Sequence, residues 1–194
     1  MKGESRFYNA VPLESEPVYT SIKPEVKFSR YWAMPSHETY LIKPIKQLLR
    51  NYQIASKGWW IDPFAGNNSP ASNKNDLDPS VSVTSHLDAL DYLKSIPDNS
   101  HDGCLFDPPY SPRQVSECYK KFGMTVNMQT TQASYWRKLK DEIQRIVKPG
   151  GLVISFGWNT NGMGLKRGFE IEEIMLVAHG SNHNDTIVTV ERKF

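Results

Sequence analysis

The chain has 194 residues, of which 39% are hydrophobic, and its formal net charge is +2 at pH 7. A chain of this length is typically one domain that buries its own core, and a charge so close to neutral neither requires nor excludes nucleic acid as a partner. Two cysteines are too few for a disulfide framework, and no apolar run approaches the roughly 20 residues of a membrane-spanning helix. The polar start MKGESRFYNA lacks the apolar centre of a signal peptide, so we expect a soluble, cytoplasmic protein with no membrane partner.

The first segment, residues 1–35, is predicted to be an extended arm because its prolines and charges are scattered without periodicity. Residues 36–194 are predicted to form one folded domain. Within the arm, KFSRYW at 27–32 interleaves basic and aromatic residues, which is typical of surfaces that bind single-stranded nucleic acid or an extruded base. Arg30 and Trp32 are therefore candidate substrate-binding residues, although an aromatic anchor that packs the arm against the domain explains the cluster equally well.

Helices and strands alternate through the rest of the chain. Apolar residues return at helical spacing over 40–52, and GWWIDPFAG is an apolar run that predicts a first strand ending near Asp62. A helix is expected over 88–96, the strand GCLFD follows, and the segment after Pro112 is expected to be irregular. A further helix, ASYWRKLKDEIQRIVKPGG, precedes the buried strand LVISFGW, and the chain closes with the β-rich runs FEIEEIMLVAHG and DTIVTVERKF.

This order predicts a layered α/β domain with a mostly parallel sheet and a C-terminal antiparallel hairpin at one edge. In such sheets, ligands bind outside the carboxyl ends of the strands. Asp62 and Asp107 each end a predicted strand, and each precedes a proline. A single acid of this kind is commonly a turn residue, but two of them at the same end of a sheet favour a binding site.

The string DPPY at 107–110 resembles motif IV of the amino methyltransferases, the enzymes that move a methyl group from S-adenosylmethionine to the exocyclic nitrogen of adenine, cytosine or guanine. DPFAG at 62–66 resembles motif I, NDLDP at 75–79 resembles motif II, LDAL at 87–90 resembles motif III, and TYLIKPI at 39–45 resembles motif X. The resemblance covers about four-fifths of the chain. It implies a Rossmann-like methyltransferase fold and a catalytic domain from residue 36 to residue 194.

Two features depart from the family pattern. Asn68 stands where the family often has a second glycine in its cofactor loop, but asparagine tolerates a left-handed backbone better than most residues. Neither the arm nor residues 111–134 are long enough to be a target recognition domain. We therefore expect either low sequence specificity or specificity shared across a homodimer.

The resemblance implies a catalytic role for the whole DPPY string. The exocyclic amine of adenine is a poor nucleophile because its lone pair is delocalised into the ring. We expect the Asp107 carboxylate and the Pro108 carbonyl each to accept one N–H, so that the nitrogen can pyramidalise. Pro109 stiffens the same backbone, and Tyr110 offers a face on which an extruded base can stack.

The resemblance also implies S-adenosylmethionine as the cofactor. Asp76 is expected to accept hydrogen bonds from the ribose hydroxyls, with Asp78 as the alternative, and Leu77 to cover the adenine face. Asp88 would accept from the adenine amine beside the backbone N–H of Ala89, although an acid that opens a helix is commonly an N-cap. Lys43 is expected near the carboxylate of the cofactor and Asp62 near its amino group. The other residues expected at the cofactor are Thr39, Phe64, Ala65 and Gly66.

Three basic residues follow the DPPY string and could meet phosphates near the target base, namely Arg113, Lys120 and Lys121. The histidines and cysteines lack the paired spacing of a metal site, so no metal is expected.

We therefore expect a methyltransferase that acts on the N6 amine of adenine in DNA, since DPPY favours adenine over the N4 amine of cytosine. An N4-cytosine DNA methyltransferase stays an alternative, as does an RNA methyltransferase that acts on adenine N6 or guanine N2. A non-enzyme alternative is a cofactor-binding partner subunit of an active methyltransferase. The intact DPPY string argues against that alternative.

Overall fold

The computed structural model describes residues 25–110, 112–121, 133–180 and 182–194. Single turns of 3₁₀ helix lie at Thr39–Leu41 and Leu165–Arg167. The strands are β1 (Lys27–Trp32), β2 (Trp60–Asp62), β3 (Asn73–Lys74), β4 (His101–Phe106), β5 (Val147–Gly157), β6 (Phe169–Ala178) and β7 (Thr186–Lys193). The helices are α1 (Lys43–Asn51), α2 (Ala89–Ser95), α3 (Pro112–Lys121) and α4 (Ala133–Ile146).

The strands form one sheet in the order β1-β6-β7-β5-β4-β2-β3. All neighbours are parallel except β7, which is antiparallel to both β5 and β6. The predicted fold class, a mostly parallel sheet with a C-terminal antiparallel hairpin, is therefore confirmed.

The predicted position of the hairpin at the edge of the sheet is wrong. Strand β7 lies between β5 and β6, and β1 pairs with the outer side of β6. Val188, Thr189, Val190 and Glu191 are buried in succession, so both faces of β7 are covered. Continuous burial of this kind is typical of an interior strand, but the apolar and polar alternation of the sequence does not distinguish an interior strand from an edge strand.

The sheet begins inside the segment that was predicted to be an arm. Residues 27–32 pair in register with residues 173–178 as strand β1, whereas residues 1–24 lie outside the described part of the chain. Five of the six β1 residues are exposed. A strand with so little burial lacks the alternating apolar pattern from which strands are predicted, so this strand was not expected.

Helix α1 covers one face of the sheet through Ile45, Leu48 and Leu49, and Pro44 is tolerated in its first turn. The predicted helix over 40–52 begins later than expected, because Thr39–Leu41 form a 3₁₀ turn and Ile42 is extended.

Helices α2 and α4 cover the opposite face. Leu93, Leu139 and Ile143 are fully buried there in one apolar cluster that includes Cys104 and Val153 of the sheet. The helix predicted over 88–96 is present as α2, and the helix predicted to precede LVISFGW is present as α4.

Helix α3 corrects the prediction of an irregular segment after Pro112. Proline at the start of a helix costs no hydrogen bond, and Arg113 pairs with Glu117 one turn later at 2.8 Å. The rest of the segment, residues 122–132, lies outside the described residues.

The glycine-rich string GMGLKRG belongs to the crossover from β5 to β6. The Lys140 ammonium of α4 donates to the carbonyls of Asn161 and Gly162, the latter at 2.7 Å. The buried Glu191 carboxylate accepts the backbone N–H groups of Met163 and Gly164. These bonds hold the crossover against the α4 face of the sheet. None of the described helices is both long and apolar enough to cross a membrane.

Candidate active site

The string DPPY forms a turn at the carboxyl end of β4. The Tyr110 hydroxyl donates a hydrogen bond to Asp107 Oδ1, and Thr39 hydrogen-bonds the same carboxylate. The Tyr110 backbone N–H donates to Gln114 Oε1 at 2.7 Å. Because Gln114 belongs to α3, this helix orients the turn. The four predicted catalytic residues therefore adjoin Thr39, which was predicted at the cofactor.

Two cavities meet at this turn. The large cavity has a volume of about 700 Å³, and the small cavity has a volume of about 370 Å³. Pro108, Tyr110 and Trp136 line both of them. The predicted cofactor residues that line the large cavity are Thr39, Phe64, Asp76, Leu77, Asp88 and Ala89. A molecule in one cavity and a second molecule in the other would thus meet at the DPPY turn.

Asp76 and Asp78 differ in their access to the large cavity. Asp76 lines it, whereas Asp78 does not. The Asp76 carboxylate accepts the backbone N–H groups of Gly66 and Asp78, both at 2.8 Å. Each carboxylate oxygen has a second lone pair, so Asp76 can accept from a ligand while it ties the loop after β2 to the segment after β3. Asp78 accepts from the hydroxyl and the N–H of Ser80.

Asp88 combines the two roles that the sequence left open. Its Oδ1 accepts the Leu90 N–H at 2.9 Å as the N-cap of α2, and its carboxylate also accepts from the Tyr135 hydroxyl at 3.2 Å. The same residue lines the large cavity together with Ala89 and Leu87. Capping the helix therefore does not remove Asp88 from the cavity wall.

Asp62 is fully buried and lines neither cavity. Its Oδ2 accepts from the hydroxyls of Tyr40 and Ser69, both at 2.6 Å, and its Oδ1 accepts the Phe64 N–H at 2.9 Å. Burial raises the pKa of Asp62 to about 7, although these three hydrogen bonds oppose the rise. Asp62 thus joins the 3₁₀ turn before α1 to the loop after β2.

The loop after β2 needs one left-handed residue and not two. Gly66 has a φ of 52°, and the described non-glycine residues with positive φ are Gln53 and Asn99. Asn68 is therefore not left-handed, and its amide donates to Glu38 Oε1 at 2.9 Å. The missing second glycine is compatible with the loop for this reason, and not because asparagine tolerates the left-handed region.

Several predicted residues lie away from the two cavities. Lys43 and Trp32 line a separate cavity between β1 and α1, and Arg30 is exposed on β1. Arg113 is exposed and paired with Glu117, and Lys120 is exposed. The side chain of Lys121 lies outside the described residues. Ala65 and Gly66 line a hollow of about 80 Å³ that also touches Asp107.

The structure also adds residues that the sequence analysis did not select. Trp158 follows β5 directly and packs edge-to-face on Tyr110, with ring centroids 5.5 Å apart and an interplanar angle of 64°. Ser155 lines the same small cavity, and its Oγ is buried with no hydrogen-bond partner among the described residues. Trp158 follows the carboxyl end of β5, which is parallel to β4. The rule that ligands bind at the carboxyl ends of parallel strands, which pointed to Asp62 and Asp107, could therefore have pointed to Trp158 as well.

Burial raises the pKa values of both ionisable side chains of the DPPY turn, Asp107 and Tyr110. Burial raises the pKa of Asp107, while its hydrogen bonds with Tyr110 and Thr39 lower it. Burial and the neighbouring Asp107 raise the pKa of Tyr110, so the Tyr110 hydroxyl stays protonated and remains a donor. Among the described residues, no group of three or more histidine, cysteine or acidic side chains is arranged to hold a metal ion.

The strand order, the flanking helices and the cavities at the carboxyl ends of the strands define a Rossmann-like methyltransferase fold. Two solved structures share it. The protein yhhF from Escherichia coli, assigned as a methyltransferase, aligns with a TM-score of 0.53 and 12% identity over 82% of this chain and 90% of its own. A 1,6-didemethyltoxoflavin-N1-methyltransferase from Burkholderia thailandensis, solved with S-adenosylhomocysteine, aligns with a TM-score of 0.52 and 11% identity over 78% of this chain and 77% of its own.

A third structure, TrmN from Thermus thermophilus, has 19% identity and a TM-score of 0.48, which is too low to support an argument. The alignment covers 79% of this chain and 49% of TrmN. No protein-family model matches the sequence, and a search of curated proteins gives no significant match. At these identities, the solved structures show the fold alone.

Proposed function

We propose that the protein transfers a methyl group from S-adenosylmethionine to the exocyclic N6 amine of adenine in DNA. One observation carries the proposal: the DPPY turn, at the carboxyl end of β4, lies where the large and the small cavity meet. A methyl transfer between two molecules requires such an arrangement, because the donor and the acceptor must approach from different sides of the reacting carbon.

The large cavity fits the cofactor. Its volume of about 700 Å³ lies within the roughly 300–1,000 Å³ of small-molecule sites. Asp76 offers carboxylate oxygens to ribose hydroxyls, Leu77 offers an apolar face to a purine, and Asp88 offers an acceptor to an amine. When bound, the cofactor supplies an electrophilic methyl group on a positively charged sulfur.

The small cavity fits a planar base. Tyr110, Trp136 and Trp158 contribute aromatic walls, and the buried Ser155 hydroxyl offers an unused donor and acceptor. A stacked base gains about 1–3 kcal/mol from each such aromatic contact. These walls support an extruded nucleobase as the substrate, and the DPPY resemblance supports adenine.

The chain's own groups then activate the amine. The Asp107 carboxylate and the Pro108 carbonyl each accept one N–H, which directs the nitrogen lone pair at the methyl carbon. A nitrogen–carbon bond forms as the carbon–sulfur bond breaks, and the sulfur keeps the electron pair. One proton leaves the nitrogen for Asp107, and the raised pKa of this carboxyl group suits it to accept that proton.

The test is transfer of labelled methyl from the cofactor to duplex DNA, single-stranded DNA and RNA, followed by mass spectrometry of the nucleosides. We expect N6-methyladenine from DNA. Methylcytosine, or label in RNA alone, would contradict the assigned substrate. Absence of label from every polymer, with cofactor binding intact by calorimetry, would contradict the enzymatic assignment and favour a cofactor-binding subunit.

A further inference from the structure

We propose that a groove between β1 and α1 binds unpaired nucleotides of a single-stranded nucleic acid next to the target base. This inference rests on the proposed function and names the form of its substrate. We call the cavity the edge groove, and its lining residues include Tyr31, Trp32, Met34, Gln47, Asn51 and Tyr52. Its volume is about 780 Å³, which is at least that of the large cavity at the active site.

The edge groove adjoins the large cavity of the candidate active site. Ser36 lines both the edge groove and the large cavity. The segment that carries Ser36 leaves β1 and leads to Thr39, which hydrogen-bonds Asp107. A strand held in the edge groove can therefore extend to the DPPY turn.

The walls of the edge groove suit bases. Tyr31 and Trp32 are 49% and 66% exposed, and Met34 is 70% exposed. Large apolar side chains that are exposed together in a groove mark a binding surface, and aromatic faces stack on any base. On the opposite wall, the Gln47 amide donates to Asn51 Oδ1 at 2.9 Å, which leaves further donors and acceptors for base edges.

The charge of α1 suits a phosphate backbone. Lys43, Lys46 and Arg50 lie on its exposed side, and the helix contains no acidic residue. None of the three forms an ion pair with a described residue. Lys43 faces the edge groove, whereas Lys46 and Arg50 line a neighbouring hollow of about 350 Å³ on the other side of α1. Unpaired cations along one helix favour a polyanion as the partner.

The acidic residue that lines the edge groove does not oppose this assignment. The Glu173 carboxylate accepts a hydrogen bond from the Tyr52 hydroxyl at 2.9 Å. It lies on β6, and this bond joins it to the C-terminal end of α1. A carboxylate in that position can accept from an exocyclic amine. Tyr31 lies on the α1 face of β1, whereas the next residue, Trp32, points to the opposite face. Stacking on Tyr31 requires a free base face, which a paired duplex does not offer, so the occupant is single-stranded.

The test measures binding of a labelled adenine-containing oligonucleotide of about 12 nucleotides by fluorescence anisotropy over a range of salt. In the variant Lys43→Gln, which removes a cation that lines the edge groove, we expect roughly threefold weaker binding at low salt. The slope of log K against log salt should fall by about 0.7, because each phosphate contact to a single strand contributes about that amount. The charge-matched control is Lys138→Gln, which removes an exposed cation from α4.

Stacking is tested separately at Tyr31. Tyr31→Ala should weaken binding of the oligonucleotide by about 5- to 150-fold, and Tyr31→Phe should restore it because the aromatic face is retained. Methyl transfer to a mononucleotide, which has no neighbouring nucleotide to occupy the edge groove, should be unchanged in Lys43→Gln. An equal slope change in the control variant, an unchanged slope, or equal affinity for the matching duplex would each overturn the proposal.

Failure of the proposed function gives a different result. If no polymer is methylated but the slope still falls in Lys43→Gln and Tyr31→Ala still weakens binding, the methyltransferase proposal is wrong and the edge-groove proposal is supported. If methyl transfer is observed while Lys43→Gln and Tyr31→Ala bind like the unmodified protein, the edge-groove proposal is wrong and the methyltransferase proposal is supported.

Discussion

Asp62→Asn should remove a large part of the pH dependence of stability. Asp62 is completely buried among the Tyr40 hydroxyl, the Ser69 hydroxyl and the Phe64 N–H. Burial raises the pKa of its carboxyl group from 3.8 to about 7. Asparagine has the same shape and keeps a carbonyl acceptor, but it carries no titrating charge.

The sign and size of the effect follow from proton linkage. Between about pH 4 and pH 7 the folded protein holds a proton on Asp62 that the unfolded chain has released, so the free energy of unfolding falls as pH rises. The stabilisation is fully present below the unfolded pKa of 3.8 and is lost by the folded pKa of about 7. At about 1.4 kcal/mol per pH unit, the loss is about 4 kcal/mol.

The assay is urea denaturation of both proteins at half-unit steps from pH 4 to pH 8. Other groups titrate in both proteins, including His101, whose lowered pKa works in the opposite direction. The difference between the two curves isolates Asp62. We expect the difference to shift in favour of Asp62→Asn by several kcal/mol as pH rises. A difference that stays constant within about 1 kcal/mol would refute the reasoning that burial outweighs the three hydrogen bonds.

Four further predictions concern the candidate active site. Asp107→Ala should abolish methyl transfer while cofactor affinity, measured by calorimetry, stays within a few-fold; lost cofactor binding in a folded variant would contradict the position assigned to this carboxylate. Asp76→Ala should weaken cofactor binding by roughly 1.5–3 kcal/mol per lost charge-assisted hydrogen bond, and the same loss in Asp78→Ala alone would transfer the ribose role to Asp78. Tyr110→Phe keeps the stacking face but removes the hydroxyl donor to Asp107, so we expect the acidic limb of the pH–rate profile to move to higher pH. Trp158→Ala should weaken substrate binding without changing cofactor affinity, and a parallel fall in melting temperature would indicate a packing role instead.

Part of the candidate active site was predictable because two of its acidic residues follow strands that the sequence marks clearly. Asp62 and Asp107 end apolar runs, and the carboxyl ends of parallel strands must meet at one end of the sheet. The resemblance to the amino methyltransferases placed Asp76, Leu77 and Asp88 together, and all three line the large cavity. Short-range patterns carry this information because each residue is placed by the strand or helix beside it.

What the sequence by itself determined is the class of sheet, the helices that cover it, and the end of the sheet at which the DPPY turn lies. The tertiary structure alone decided that β7 lies between β5 and β6, that β1 extends the sheet, and that Trp158 packs against Tyr110. It also decided that Asp62 is enclosed by Tyr40 and Ser69 instead of facing a cavity. These features depend on contacts between residues far apart in the chain, and the local sequence around either residue does not identify its partner.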